Sequence, residues 1–199
     1  EMKERIAKVA GEKVARYLWM GTFHSIFARI LRTEHEAIGY PSNFTIYDSA
    51  DSKSLIKTII KSLQLDDKTY KPNVVASRIS MAKNNLITPM VYANNAEIRG
   101  VDKSMRMTAI AEIYKEYTKR SFLSGAMDFD DLLMITVRLF EENPAIREKY
   151  AERFHHILVD EFQDTNIAQY TLLRHLSSWH HNIFVVGDSD QSIYRWRGA

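Results

Sequence analysis

Apolar residues along the chain fall mostly at helical spacing, and short β-branched runs interrupt that rhythm in only a few places. Met2, Ile6 and Val9 share one face of a charged segment, which predicts a helix. Ala15 to Met20, ARYLWM, predicts a strand leading into the small-residue turn Gly21 to Ser25. Ile26, Phe27, Ile30 and Leu31 then recur at three- and four-residue intervals, so a helix is expected from about Ser25 to Ile38. Gly39 and Pro41 close it. From 48 to 127 the chain shows no convincing alternation of period two. Leu55, Ile56, Ile59, Ile60 and Leu63 make one stripe behind a polar start at Asp48 to Ser52. Val74, Val75, Ile79 and Ala82 make another, and Thr88-Pro89 puts proline at a first helical position. Met107, Ile110, Ile113, Tyr114 and Tyr117 mark a longer helix from Lys103 to Ser121 and read as core.

The pattern changes again at GAMDFDDLL, residues 125 to 133. Asp128, Asp130 and Asp131 precede an apolar helical run and are explained as acids at a helix N-terminus, favoured by its dipole, rather than as metal ligands. Leu132, Leu133, Val137, Leu139 and Phe140 continue that helix; Asn143-Pro144 ends it and starts another, to Phe154. Two short runs have a different character. Ile157-Leu158-Val159 and Asn182 to Val186 (NIFVV) are β-branched and continuous, the pattern of strands buried on both faces of a parallel sheet. A helix from about Asn166 to Trp179, with Tyr170, Leu173 and Leu176 inward, separates them. The expected architecture is therefore α/β, with residues 1–47 and 128–199 forming a parallel-sheet domain and 48–127 an inserted all-helical subdomain.

A hydrophobic fraction of 45% and a charged fraction of 26% are those of an ordinary globular chain. No apolar run reaches membrane-spanning length and no secretory pattern opens the sequence, so no membrane partner is expected. The absence of cysteine removes disulfides and thiolate metal sites, and fits a reducing, cytoplasmic setting. The pairs His155/His156 and His180/His181 lack helical ligand spacing and read as solvated residues. Net charge is only +2, but residues 48–127 carry +5 and residues 128–199 carry −5. A basic middle beside an acidic end suits a phosphate-backbone surface next to a carboxylate site; an ordinary solvated helical surface is the alternative.

The chemistry concentrates where the first β-branched run ends. In open α/β sheets ligands bind at the carboxyl ends of strands. Asp160 and Glu161 stand at such an end, where one carboxylate can hold Mg²⁺ through water and the other can orient or deprotonate an attacking water. The turn Gly21 to Ser25 offers backbone N–H groups and hydroxyls to a phosphate, or Thr22 or Ser25 simply caps the following helix.

Three strings raise these readings to a family resemblance. VDEFQDTN, Val159 to Asn166, resembles the Walker B motif of the UvrD/Rep/PcrA group of superfamily 1 DNA helicases. VGDSDQSIYRWRGA, Val186 to Ala199, resembles motif III of the same group, and GTFHS, Gly21 to Ser25, resembles its segment in contact with single-stranded DNA. The resemblance implies a partial RecA-like (P-loop NTPase) fold with a helical insertion. It implies ATP and Mg²⁺ as cofactors, with Asp160 holding the metal through water, Glu161 positioning the water and Gln191 reaching the γ-phosphate. It places Thr22 and His24 along the DNA track, with Tyr194, Trp196 and Arg197 contacting and stacking on bases. The implied activity is ATP-dependent translocation 3′ to 5′ and unwinding of DNA, with single-stranded and duplex DNA and a second RecA-like domain as partners. The Gly-Lys-Thr phosphate loop of the family does not occur in these residues, so the 199-residue piece is expected to be an excised and catalytically silent part of a longer helicase.

Two other classes of function compete. One is a non-catalytic module binding single strands through Thr22, His24, Tyr194, Trp196 and Arg197. The other is a metal-dependent nuclease built from Asp160, Glu161, Asp164, Asp188 and Asp190, which leaves the DEFQDT and QSIYRWRGA strings without a purpose.

Overall fold

Helices form where the apolar stripes coincide with residues able to cap them. A computed structural model describes residues 2–188 and residue 190. Four helices open the chain: α1 (Met2–Ala10), α2 (Glu12–Tyr17), α3 (Phe23–Thr33) and α4 (His35–Ile38). Strand β1 (Thr45–Tyr47) leads into α5 (Ser49–Ser62), α6 (Pro72–Asn84), α7 (Pro89–Asn94), α8 (Ala96–Ser104) and α9 (Ile110–Leu123). Strand β2 (Ala126–Asp128) is followed by α10 (Phe129–Glu142), α11 (Pro144–Arg153), β3 (Ile157–Val159), α12 (Ile167–Ser177) and β4 (Ile183–Val185). Asp48, Asp128 and Asn166 each close a reciprocal capping box, satisfying backbone donors that a helix start otherwise leaves open. Gly39 ends α4 with φ +72°, in the left-handed region that glycine enters without a Cβ penalty.

The two ends of the helical block meet. β1 and β2 pair in parallel, Thr45 opposite Ala126 and Tyr47 opposite Asp128, so the chain leaves for α5 and returns from α9 on neighbouring strands. Buried side chains fall into two clusters. One joins Phe27, Ile30 and Leu31 of α3 to Leu132, Leu139 and Phe140 of α10, Tyr150 of α11 and Leu172 of α12. The other is made within the helical block by Ile56, Ile59, Val75, Ile79, Ile110, Ile113 and Tyr117. Each fully buried aliphatic or aromatic side chain of this kind contributes about 1.5–3 kcal/mol of transfer free energy.

The structure corrects several expectations. ARYLWM is not a strand: α2 runs through Tyr17, and Leu18 to Met20 join no sheet. The strand in this part of the chain is Thr45–Tyr47, three residues long and too short to display a period. The helix expected from Lys103 to Ser121 is two helices, because Arg106 adopts φ +58° between α8 and α9. That turn accompanies the burial of Asp102, whose carboxylate accepts from Tyr92 Oη at 2.9 Å and pairs with Arg78. β3 and β4 pair in parallel as expected, yet they are not buried on both faces. Val159 is buried, while Leu158 is 76% exposed and Phe184 63% exposed. β4 is exposed along its length, Ile183 and Val185 included, and Leu158 and Phe184 form a bare outer face among the described residues. Tyr170 also faces outward; Ala168, Leu172, Leu173 and Leu176 make the inner face of α12.

Candidate functional site

Register decides what the strand pair can do. Val159 lies opposite Val185, so β3 and β4 end level with each other. Val186 N–H donates to the Val159 carbonyl at 2.8 Å, and Phe162 N–H donates to the Val186 carbonyl at 2.9 Å. The chain after β3 is thereby folded across the tip of β4. Asp160 and Glu161 occupy this crossing and both are exposed. Glu161 has φ +54°, a left-handed backbone that a glutamate adopts only when its surroundings hold it there. Its N–H donates to Asp160 Oδ1 at 3.0 Å, and a 3₁₀ turn over Phe162–Asp164 follows.

Gln163 fastens the crossing. Its Nε2 donates to Glu161 Oε2 at 2.6 Å, while its Oε1 accepts from Asp188 N–H at 3.0 Å. A Cβ on Gly187 would stand 2.7 Å from Gln163 Oε1 and 3.2 Å from Gln163 N. Glycine is therefore what allows the two tips to approach this closely. The donor chemistry suits Mg²⁺: hard carboxylate oxygens at an exposed tip, which among the described residues are too few to enclose an ion by themselves. That ion is typically held by one or two carboxylates together with substrate phosphates and water.

Of the other residues expected at the site, Thr22 and His24 lie at the start of α3. Thr22 is the N-cap of α3, its Oγ1 accepting from Ser25 N–H at 3.3 Å, so its hydroxyl does serve the helix. His24, the second residue of α3, meets the Phe129 ring edge-on at 5.5 Å. Burial lowers the His24 pKa, and the nearby Asp130 carboxylate partly offsets the effect. Both rings line a cavity of about 680 Å³ between the helical block and α10, with Lys53, Asn84, Asp164 and Asn166 on its walls. Asp190 N–H donates to Asp188 Oδ1 at 3.0 Å. Gln191, Tyr194, Trp196 and Arg197 lie outside the described residues.

Pattern reading missed the joint beneath that cavity. Lys83, at the end of α6, is 1% exposed and lies 2.7 Å from both Asp128 and Asp131. Burial alone would lower its pKa, but the two carboxylates outweigh burial and hold it well above the ordinary lysine value. Burial and the charge of Asp128 push Asp131 up to about 6 in spite of Lys83. Asp128 moves down: burial opposes its charge, and Lys83 overcomes that opposition. Tyr117 Oη also donates to Asp128, at 2.8 Å, and Asn84 donates to Asp130 at 3.0 Å. The three aspartates are helix-start residues as expected, and they are also the anchor of the helical block. The sequence stripe Val74, Val75, Ile79 and Ala82 stops one residue short of Lys83, which the fold buries with it.

The chain is an α/β protein, mostly helical with small parallel sheets, consistent with part of a P-loop NTPase-like domain. It belongs to the UvrD/REP helicase N-terminal domain family, which it matches over residues 1–199. It is similar to the ATP-dependent DNA helicase PcrA of Leuconostoc citreum, at 45% identity over 199 residues, all of this chain and 26% of that protein. PcrA of Staphylococcus aureus is 46% identical over the same 199 residues, again all of this chain and 26% of the relative. PcrA of Staphylococcus epidermidis gives the same identity and coverage, 46% and 26%. The chain thus spans about a quarter of the length of the curated relatives it matches. Among the described residues, no helix is long and apolar enough to cross a membrane.

Proposed function

We propose that this chain is part of the motor of an ATP-dependent DNA helicase that moves 3′ to 5′, and that it supplies the hydrolytic acids and part of the single-strand track. The carrying observation is the level ending of β3 and β4, which sets Asp160 and Glu161 beside the segment that continues into DSDQSIYRWRGA. Asp160 is the residue to hold Mg²⁺ through water, and Glu161 the residue to orient the attacking water and accept its proton. When bound, Mg²⁺ neutralises charge on the phosphate oxygens. Gln191 is assigned to the γ-phosphate; Tyr194, Trp196 and Arg197 to the bases; Thr22 and His24 to the strand path.

Residues 48–127 are proposed to be a helical insertion, supported by the separate apolar cluster and by the exit and return on paired strands. The bare outer face of β3 and β4 supports a second proposal, that another part of a longer protein covers it, since apolar patches of this kind mark contact surfaces. These 199 residues carry no Gly-Lys-Thr phosphate loop, and on their own they are proposed to hydrolyse no ATP.

The test uses the longer protein that contains this chain. Glu161→Gln should lower kcat for ATP about 100- to 10,000-fold, the usual weight of a general base, while leaving DNA affinity intact. Trp196→Ala should weaken single-strand binding by about 1–3 kcal/mol, measured by fluorescence anisotropy. Full ATPase activity in Glu161→Gln would overturn the assignment. Mg²⁺-dependent strand cleavage without nucleotide would favour the nuclease instead.

A further inference from the structure

The Gln163 side chain makes the bond that restrains the Glu161 carboxylate. A carboxylate only accepts hydrogen bonds and a backbone N–H only donates them. A group standing between the two must donate on one side and accept on the other. A primary amide does this, with Nε2 on Glu161 Oε2 at 2.6 Å and Oε1 on Asp188 N–H at 3.0 Å. Glutamate would place a second negative charge against Glu161, and asparagine is one methylene short of spanning both partners. The left-handed backbone of Glu161 turns its side chain back toward residue 163, so the contact forms over a separation of only two residues. Gly187 completes the fit, since a side chain there would meet Gln163 Oε1 at 2.7 Å.

We infer that Gln163 is a positioning residue that fixes the Glu161 carboxylate to the tip of β4, so that proton abstraction depends on where the β4 loop stands. This rests on the role proposed for Glu161. The loop after β4 leads directly into DQSIYRWRGA, so a shift of Asp188 is transmitted to the water-activating acid through a single amide. Displacements of about 1 Å at a catalytic group can cost on the order of 100-fold in rate.

The experiment compares Gln163→Ala, Gln163→Glu and Gly187→Ala with Glu161→Gln in the longer protein that contains this chain. Each Gln163 variant should lower kcat for ATP by about 10- to 100-fold, with KM and single-strand affinity within about twofold of the parent. Gly187→Ala, which displaces the amide without altering it, should do the same. Added to Glu161→Gln, Gln163→Ala should cause no further loss. A readout independent of turnover is hydrogen exchange over residues 183–190, which should quicken in Gln163→Ala as Asp188 N–H loses its acceptor. If Glu161→Gln abolishes hydrolysis while Gln163→Ala keeps parental kcat and exchange, the positioning role is overturned and the assignment of Glu161 stands. If Glu161→Gln remains active, both fall.

Discussion

The tip of β3–β4 and the joint between α6 and α10 are both built on paired aspartates or glutamates, but they treat them in opposite ways. At the joint, Asp128 and Asp131 are enclosed, Lys83 is buried between them, and Tyr117 adds a further hydrogen bond. At the tip, Asp160 and Glu161 stand in solvent, and among the described residues Gln163 and the Glu161 backbone N–H bond to their carboxylates. Carboxylates that are neutralised internally hold elements together. Carboxylates left exposed on a constrained backbone remain open to a cation and a water. The same residue type therefore does structural work in one place and is available for chemistry in the other, and the difference lies in whether a lysine is buried beside it.

This contrast can be broken most forcefully at the joint. Lys83→Met leaves two enclosed carboxylates without their cation and should destabilise the protein by about 3–5 kcal/mol in urea denaturation. Adding Asp131→Asn should recover part of that loss. A loss below about 1 kcal/mol in the single variant would mean that the joint is not the anchor described here. At the exposed start of α5, Asp48→Ala removes a cap that accepts from Ala50 and Asp51 N–H at 2.7 and 2.8 Å. It should cost about 1 kcal/mol. At the tip, Asp160→Asn should move stability by no more than about 0.5 kcal/mol in the same measurement, as an exposed residue outside any packed network.

A pH series sharpens the comparison further. Folded Asp131 keeps its proton up to about 6, above its ordinary value of 3.8. Between those values the folded state binds more protons than the unfolded state, so this group's contribution to stability falls as pH rises through the window. Asp128, shifted down, acts in the opposite sense and at lower pH. Urea melts between pH 4 and 6.5 should therefore show a more positive slope of stability against pH in Asp131→Asn than in the parent. An unchanged slope would place Asp131 among ordinary carboxylates.

Much of the helical layout was open to direct reading, because helix caps and stripes are local. Asp48, Thr88, Asp128 and Asn166 announced four helix starts, and each accepts the backbone N–H that a cap should accept. Short strands were harder. Thr45–Tyr47 exists because β2 lies beside it, and ARYLWM lacks such a neighbour despite a comparable composition. The place of Asp160 and Glu161 at a strand end was legible because they follow a β-branched run. Gln163 was not, since its function depends on a left-handed residue two positions earlier and on an amide 25 residues later.

By itself the sequence determined the periodic elements, their caps, the family and the acids at a strand end, all of which depend on residues close together in the chain. Only the tertiary structure decided which aspartates are neutralised and which are exposed, because that depends on a lysine 45 residues away along the chain being carried into contact. It also decided that β3 and β4 end level and that the Gln163 amide joins their tips alongside two backbone hydrogen bonds. Burial and charge pairing are properties of the folded arrangement, and a side chain's chemistry is set by the neighbours that arrangement supplies.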